Sequence, residues 1–359
     1  MKITLSGTML LAASAMAFAA DLDAPPIKYG FATENNAASR LIDKLESGRS
    51  SPKHEPKFGY LRGLLKELNV PESSQVLVFS KTSLQRSRIG PPTPRAIYFN
   101  DDVYVGYCQN GDVLEISAAD ANLGTAFYTL SQKDTTRARI TRRGDSCLIC
   151  HASSQNQGLP SHVIRSVFSD SSGRPILASG TYRIDQTSPI KQRWGGWYVS
   201  GNSGKQSHMG NITFSERSSP EDVENDELNV NDLSRFFKTG NYPTPHSDLV
   251  ALMVLEHQAQ MHNLLARAGI VTRQALYDEA ELNKALDRRE PGHTESTLGR
   301  IRSAGEALVK YMLFSGETEL TGKLSGSSSF AAEFAQRGPF DTRGRSLREF
   351  ALATRMFKY

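Results

Sequence analysis

Five consecutive residues, Cys147-Leu148-Ile149-Cys150-His151, constrain this chain more than any other feature. Two thiols two residues apart, followed at once by an imidazole, spell C-x-x-C-H, the attachment signature of a c-type haem. Each thiol can form one thioether to a porphyrin, and the adjacent imidazole then stands under the iron as proximal ligand. The chain has only three Cys and eight His, so shuffling its composition would produce the pattern in roughly 4 of 10,000 sequences. Three other readings use the same thiols. A dithiol redox motif would open a helix in a thioredoxin-like βαβ pattern, which the surrounding sequence lacks. A structural zinc site would need further ligands, and no second C-x-x-C or H-x₃₋₅-H follows at finger spacing. A disulfide across two residues would be strained.

The N-terminus is consistent with this chemistry. Residues 1–20 carry Lys2, an apolar stretch through Leu10, Leu11, Met16 and Phe18, and the small-x-small sequence Ala17-Phe18-Ala19. They read as a secretory signal peptide, cleaved after Ala19 or Ala20, which places the mature chain in the periplasm. Covalent haem attachment in bacteria takes place on that side of the cytoplasmic membrane. The apolar run is short and Ala-rich for an anchor, and no later segment has eighteen uncharged apolar residues, so no transmembrane segment is expected in the mature chain. The formal net charge of +4 is small and dispersed, and no polybasic tract points to nucleic acid. Cys108, the odd thiol, lies in Val103-Tyr104-Val105-Gly106-Tyr107-Cys108 and reads as a small buried hydrophobe in preference to an intermolecular disulfide or a reactive thiol.

The texture of the chain predicts an α+β fold, with a β-rich N-terminal half carrying the motif and a helical C-terminal half. Residues 21–216 form the mixed, mainly β region, and residues 217–359 a helical region packing on it. Short helices fit Asn36 to Leu45 and Phe58 to Leu68. Strands fit Gln75 to Ser80, Arg95 to Phe99, Val103 to Gln109, Val113 to Ser117 and Thr125 to Leu130. Asn110-Gly111 suits a type I′ hairpin turn. Ile176 to Tyr182 and Trp197 to Val199 are further candidate strands. Ser247-Asp248 caps a helix running to Arg267, with Gly269 as its stop, and further helices fit Arg273 to Leu286, Thr297 to Phe314, Phe330 to Gln336 and Leu347 to Met356. There is one C-x-x-C-H and no internal repeat, so one haem c is expected.

The second axial position of the iron has several candidate ligands. His208 and Met209, in the polar loop Gly204 to Asn211, are the first pair. His257 and His262 are weaker alternatives, since both lie on apolar stripes of the long helix, where a buried histidine partnered by its neighbours is the commoner outcome. Arg137, Arg139, Arg142 and Arg143 precede the motif and form either a basic rim that guides an acidic redox partner or an ordinary solvated strand and turn. Arg165 and Arg193 are candidates to pair haem propionates. Trp194 and Trp197 either wall the haem or pack in the core.

Four segments, Pro94 to Gly106 (PRAIYFNDDVYVG), Arg193 to Gly201 (RWGGWYVSG), His208 to Asn211 (HMGN) and Gly344 to Tyr359 (GRSLREFALATRMFKY), together with the motif, resemble a group of exported bacterial proteins described as cytochrome c domain-containing. The resemblance spans most of the mature chain and implies haem binding and electron transfer. The chain is similar to small cytochromes c at the motif alone: those place C-x-x-C-H near the start of a helical domain, whereas β texture precedes it here. Two function classes follow. One is a periplasmic electron carrier, which buries the haem and hands its electrons to a redox partner. The other is a haem enzyme of peroxidase or small-oxyanion reductase type, with an open distal site to which His162, His208 or Arg165 supplies an acid, base or anion contact.

Overall fold

The computed structural model of the protein describes residues 22–353 except 136, 154–157, 216–222 and 289–291. The expected signal peptide and the last residues of the C-terminal helix lie outside this set. Two short helices come first: α1 (Ala37–Glu46), capped by the Asn36 side chain on Ser39 N, and α2 (Leu61–Glu67). The β region follows as β1 (Val76–Val78), β2 (Arg95–Phe99), β3 (Val103–Tyr107), β4 (Val113–Asp120), β5 (Gly124–Ser131) and β6 (Ile140–Arg143). The motif forms α3 (Asp145–His151), and β7 (Arg165–Val167), β8 (Thr181–Arg183), β9 (Trp197–Tyr198) and β10 (Gly201–Asn202) come next. The C-terminal part holds α4 (Leu249–Ala285), α5 (Glu295–Met312), β11 (Ser325–Gly326), α6 (Phe330–Gln336) and α7 (Leu347–Ala351). The fold is α+β: a seven-stranded antiparallel sheet in the order β6-β5-β4-β3-β2-β1-β9, followed by the helices α4 to α7.

Period-two alternation assigns the two faces of the sheet. On one face Leu77, Ala96, Tyr98, Val103, Val105, Leu114, Ile116 and Tyr128 pack beneath α1, α2 and the segment from Val230 to Tyr242. On the other, Val76, Val78, Ile97, Phe99 and Tyr104 pack under the start of α4 and under Phe330 of α6. That second cover is partial. Along β4, Leu114, Ile116 and Ala118 are buried, whereas Glu115, Ser117 and Ala119 on the alternate face are only half-buried. The strand register lines up two cross-strand rows there: Phe99, Tyr104, Ser117, Phe127 and Arg143, and Ile97, Gly106, Glu115, Thr129 and Thr141.

Two local expectations are corrected. The β3–β4 hairpin forms, but not through a type I′ turn. Its turn closes by Gly111 N donating to Cys108 O at 3.0 Å, and of the two central candidates Asn110 alone has positive φ (+52°). The Gln85 side-chain carbonyl takes the following amide, Asp112 N, at 2.9 Å, so a tertiary partner overrides the local turn preference. Gly269 does not stop a helix either. α4 runs through it for 37 residues, about 55 Å at the usual rise. Ile270 beside it is fully buried, and packing along α5 and the sheet outweighs the ~1 kcal/mol helix penalty of one glycine. Asp248 caps α4 as expected, accepting from Val250 N and Ala251 N, and its second oxygen takes Ser328 N and Oγ. The later turns of α4 close on the start of β5 at Gly124, where φ is +82° and a Cβ would stand 2.8 Å from that of Ala266. Only glycine meets both conditions.

Candidate cofactor site

β6 ends at Arg143, and α3 begins two residues later. Cys147, Cys150 and His151 stand at i, i+3 and i+4 and so share one face of that helix. Leu148, on another face, anchors the helix to a small apolar cluster of Ile27, Tyr29, Leu123, Leu159 and Ile270. Both motif thiols are unbridged, Cys147 half-buried and Cys150 exposed. Burial raises the Cys147 thiol above its ordinary value, a bond from Ser146 and the charge of Arg143 oppose this, and Glu115 adds to it. The helix stands beside the half-open face of β4, because the His151 ring meets Phe127, the cross-strand partner of Ser117.

His151 is fixed by the chain that returns after the motif. Its Nδ1 lies 2.8 Å from the Ser161 carbonyl oxygen, while Ser161 N and Oγ donate to the His151 carbonyl at 3.0 and 2.9 Å. A carbonyl only accepts, so the proton sits on Nδ1 and Nε2 carries the lone pair. The ring packs on Phe127 with centroids 4.6 Å apart. Burial lowers the His151 pKa below the usual imidazole value, opposed by the Ser161 carbonyl, with Arg95 and Arg165 adding to the lowering and Glu115 opposing it. The neutral tautomer that results is the one that ligates a metal.

Next in the chain, His162 enters the gap between sheet and α4. It is buried, with Nδ1 3.4 Å from Ser117 Oγ, Nε2 3.5 Å from Thr125 Oγ1 and its ring 4.3 Å from that of Tyr104. Burial, helped by His262 and His151, holds its pKa well below normal. Tyr104 Oη lies 3.0 Å from His262 Nδ1 and accepts from Gln258 Nε2 at 3.0 Å, so the phenol donates to His262. A cleft of about 120 Å³ opens beside this group, lined by His162, Arg183, Asp185, Glu256, Gln260 and Asn263 among others.

The remaining candidates lie elsewhere. His208 and Met209 do not reach out of their loop. The His208 ring packs against Trp194 at 5.1 Å and its Nδ1 accepts from Gly210 N at 3.1 Å. Met209 Sδ accepts from Ser166 Oγ at 3.6 Å, and its backbone N donates to Arg193 O. Both side chains are buried because the turn at Trp194 folds back over them. His257 is stacked against Tyr311 and Phe314 with Nδ1 2.6 Å from Gln186 Oε1. Arg193 is spent on a buried ion pair with Glu256 at 2.9 Å, and Trp194 Nε1 donates to the same carboxylate. Burial still raises the Glu256 pKa to about 7. Trp194 and Trp197 are both core residues. The four arginines before the motif do not make one rim: Arg137 holds the Leu45 and Glu46 carbonyls at the end of α1, Arg142 pairs with Glu34 at 3.0 Å, Arg143 donates to Thr129 Oγ1 on the motif face, and Arg139 is exposed. Cys108 is buried, its thiol pushed up to about 12. Among the described residues no three His, Cys, Asp or Glu side chains gather as a metal site, and no helix is long and apolar enough to cross a membrane.

Sequence reasoning missed Ser161, Phe127, Tyr104 and Arg183. The alternation of β5 carried a signal for Phe127, since it separates Phe127 from Tyr128 by face. Nothing local marks Ser161, whose role depends on a reversal of the chain.

The residues at this site fit a haem c. The paired thiols are unbridged, the imidazole is oriented through Nδ1 as metal-ligating histidines generally are, and the adjoining sheet face is half-open. Comparison of the chain with protein-family profiles, curated proteins and solved structures returns no match.

Proposed function

We propose that this chain is an exported, periplasmic c-type cytochrome that carries one haem through Cys147 and Cys150, with His151 as axial ligand, and transfers electrons to a redox partner. The observation that carries this reading is the His151–Ser161 contact: it orients an imidazole next to two unbridged thiols and leaves Nε2 as the basic nitrogen. The haem supplies one-electron chemistry at iron. The protein's share is to hold the ligand ring on Phe127, to fix its tautomer through the Ser161 carbonyl, and to set the surrounding charge with Arg95, Glu115, Arg143 and Arg165. Arg143 and the exposed Arg139 are the cations left from the basic stretch to meet an acidic partner. The resemblance to exported cytochrome c domain-containing proteins agrees with this reading.

The test is haem staining after denaturing electrophoresis of protein exported in a host that attaches haem c. Wild type should stain, and Cys147→Ala with Cys150→Ala should not. Unchanged staining of the double variant, or none in wild type, would sink the covalent claim.

One observation favours the second reading, a haem enzyme of peroxidase or small-oxyanion reductase type. Met209, His208, His257 and His262 each have partners within the protein that would be lost on moving to an iron. Cyanide and carbon monoxide difference spectra separate the two. A low-spin iron indifferent to both supports the carrier, and rapid binding supports the enzyme.

A further inference from the structure

Phe127, Ser117 and Tyr104 are successive cross-strand partners on β5, β4 and β3, and each meets an imidazole. The His151 ring lies on Phe127, His162 Nδ1 stands 3.4 Å from Ser117 Oγ, and Tyr104 Oη lies 3.0 Å from His262 Nδ1. Two strand spacings separate Phe127 from Tyr104, so Tyr104 stands about 10 Å across the sheet from the residue that carries the His151 ring. The buried His162 ring, 4.3 Å from that of Tyr104, fills the space between. The direction of the Tyr104 proton is fixed. Gln258 Nε2 donates to Asn100 O at 2.6 Å and to Tyr104 Oη at 3.0 Å, so Oη accepts there and its own proton points to His262 Nδ1. This partner sets Tyr104 apart. The phenols of Tyr29, Tyr60, Tyr98, Tyr198, Tyr242 and Tyr311 donate to carbonyl oxygens, which do not take up a proton near neutral pH. An imidazole nitrogen does. Burial raises the Tyr104 phenol above its ordinary value, so it is a neutral O–H that gives up an electron readily only if the proton leaves with it. At His262 burial disfavours the charged ring, and Asp102 and Asp101 oppose that.

We propose that Tyr104 and His262 form a proton-coupled one-electron donor to an oxidised group held at Cys147 and Cys150, with a peroxide as the terminal oxidant. This rests on the haem reading of the motif and, within it, on the form whose iron is open to peroxide. One peroxide, two electrons and two solvent protons give two waters. The ferric cofactor supplies one electron and the Tyr104 phenol the other. The phenolic proton passes to His262 Nδ1, which leaves a neutral phenoxyl beside an imidazolium. Tyr104 thus draws oxidising equivalents away from the motif and toward α4.

The experiment mixes the exported ferric holoprotein with hydrogen peroxide and freeze-quenches it for electron paramagnetic resonance, with ordinary and with ring-deuterated tyrosine. Wild type should give a radical signal that narrows with the deuterated ring, and Tyr104→Phe should lose it. His262→Phe keeps the phenol and removes the proton acceptor, and should form the radical about a hundredfold more slowly, the usual size for a positioned proton-transfer group. No radical in wild type, a signal indifferent to the label, a signal kept in Tyr104→Phe, or a cofactor that peroxide leaves unchanged would overturn the proposal. Equal rates in His262→Phe and wild type would overturn the pairing with His262. Absence of haem staining in wild type would overturn the cytochrome reading instead. The pair is then judged in the full chain with a ruthenium photo-oxidant attached to the exposed Cys150, Cys147→Ser being in place. A flash-induced phenoxyl that Tyr104→Phe loses supports the proposal, and equal yields or none overturn it.

Discussion

His162 and Asn263 bind each other in both directions: His162 N donates to Asn263 Oδ1 at 2.8 Å, and Asn263 Nδ2 donates to the His162 carbonyl at 2.9 Å. One side chain on α4 thus satisfies both backbone groups of the residue after Ser161. Through it, the long C-terminal helix sets the height of the Ser161 carbonyl and so the orientation of His151.

Asn263→Ala should therefore act at two places. Loss of two hydrogen bonds to largely buried backbone groups should cost about 2–3 kcal/mol, read by urea unfolding. The His151 Nδ1 proton, held by the Ser161 carbonyl, should exchange faster in the variant, as seen by NMR. Asn263→Asp keeps the acceptor and loses the donor, and should fall between the two. An Asn263→Ala protein as stable as wild type would show that the two Asn263–His162 hydrogen bonds contribute nothing.

Stability should fall in mild acid. Burial lowers the pKa of His208 and of His257 to about 4. The unfolded chain takes up these protons near pH 6.5, so the folded state is favoured fully above that value and loses this contribution as pH falls toward 4. Each histidine adds a slope of about 1.4 kcal/mol per pH unit and about 3 kcal/mol in all. His257→Phe keeps the stacking on Tyr311 and Phe314 and removes one titrating group. Its unfolding free energy should decline with acid by one proton less than wild type. An identical slope would mean that His257 is already charged in the folded protein.

Much of the fold was legible because it rests on local patterns. β2 (Arg95–Phe99) has the expected bounds and ends with its run Ile97-Tyr98-Phe99, and Asp248 caps α4 as its side chain predicts. The motif was legible because it is contiguous. Arg193 and Arg183 show what was not. Both are arginines in loop- and strand-rich sequence, and only tertiary placement, Glu256 in α4 against Arg193 and Arg165 across a hairpin from Arg183, distinguishes them. Gly269 was misleading for a similar reason: a local breaker is overruled when its neighbour Ile270 is fully buried.

That position offers a clean stability test. Gly269 is helical and exposed, and an added Cβ meets nothing within 4 Å. Gly269→Ala should stabilise the protein by up to about 1 kcal/mol, through helix propensity and a less disordered unfolded chain. Thermal unfolding should show a higher midpoint. A lower one would mean that α4 needs to bend or open at this point.

Arg193 separates a structural role from a cofactor role. Its side chain is 3% exposed, that of its partner Glu256 is 1% exposed, and further bonds run to the Ser188 and Gln186 carbonyls. Arg193→Met leaves a buried carboxylate with Trp194 as its remaining strong partner, and removing one member of such a pair costs roughly 3–5 kcal/mol. The cost should depend on pH. Glu256 already lies near 7 with Arg193 present, and without that cation its carboxyl is raised further. A carboxyl whose folded pKa exceeds its unfolded value favours the folded state at acid pH and loses that contribution as pH rises. The variant should therefore be damaged more at pH 8 than at pH 5.5, with covalent haem content unchanged. Equal damage at both values would place the ionised form of Glu256 in a site polar enough to hold it without Arg193.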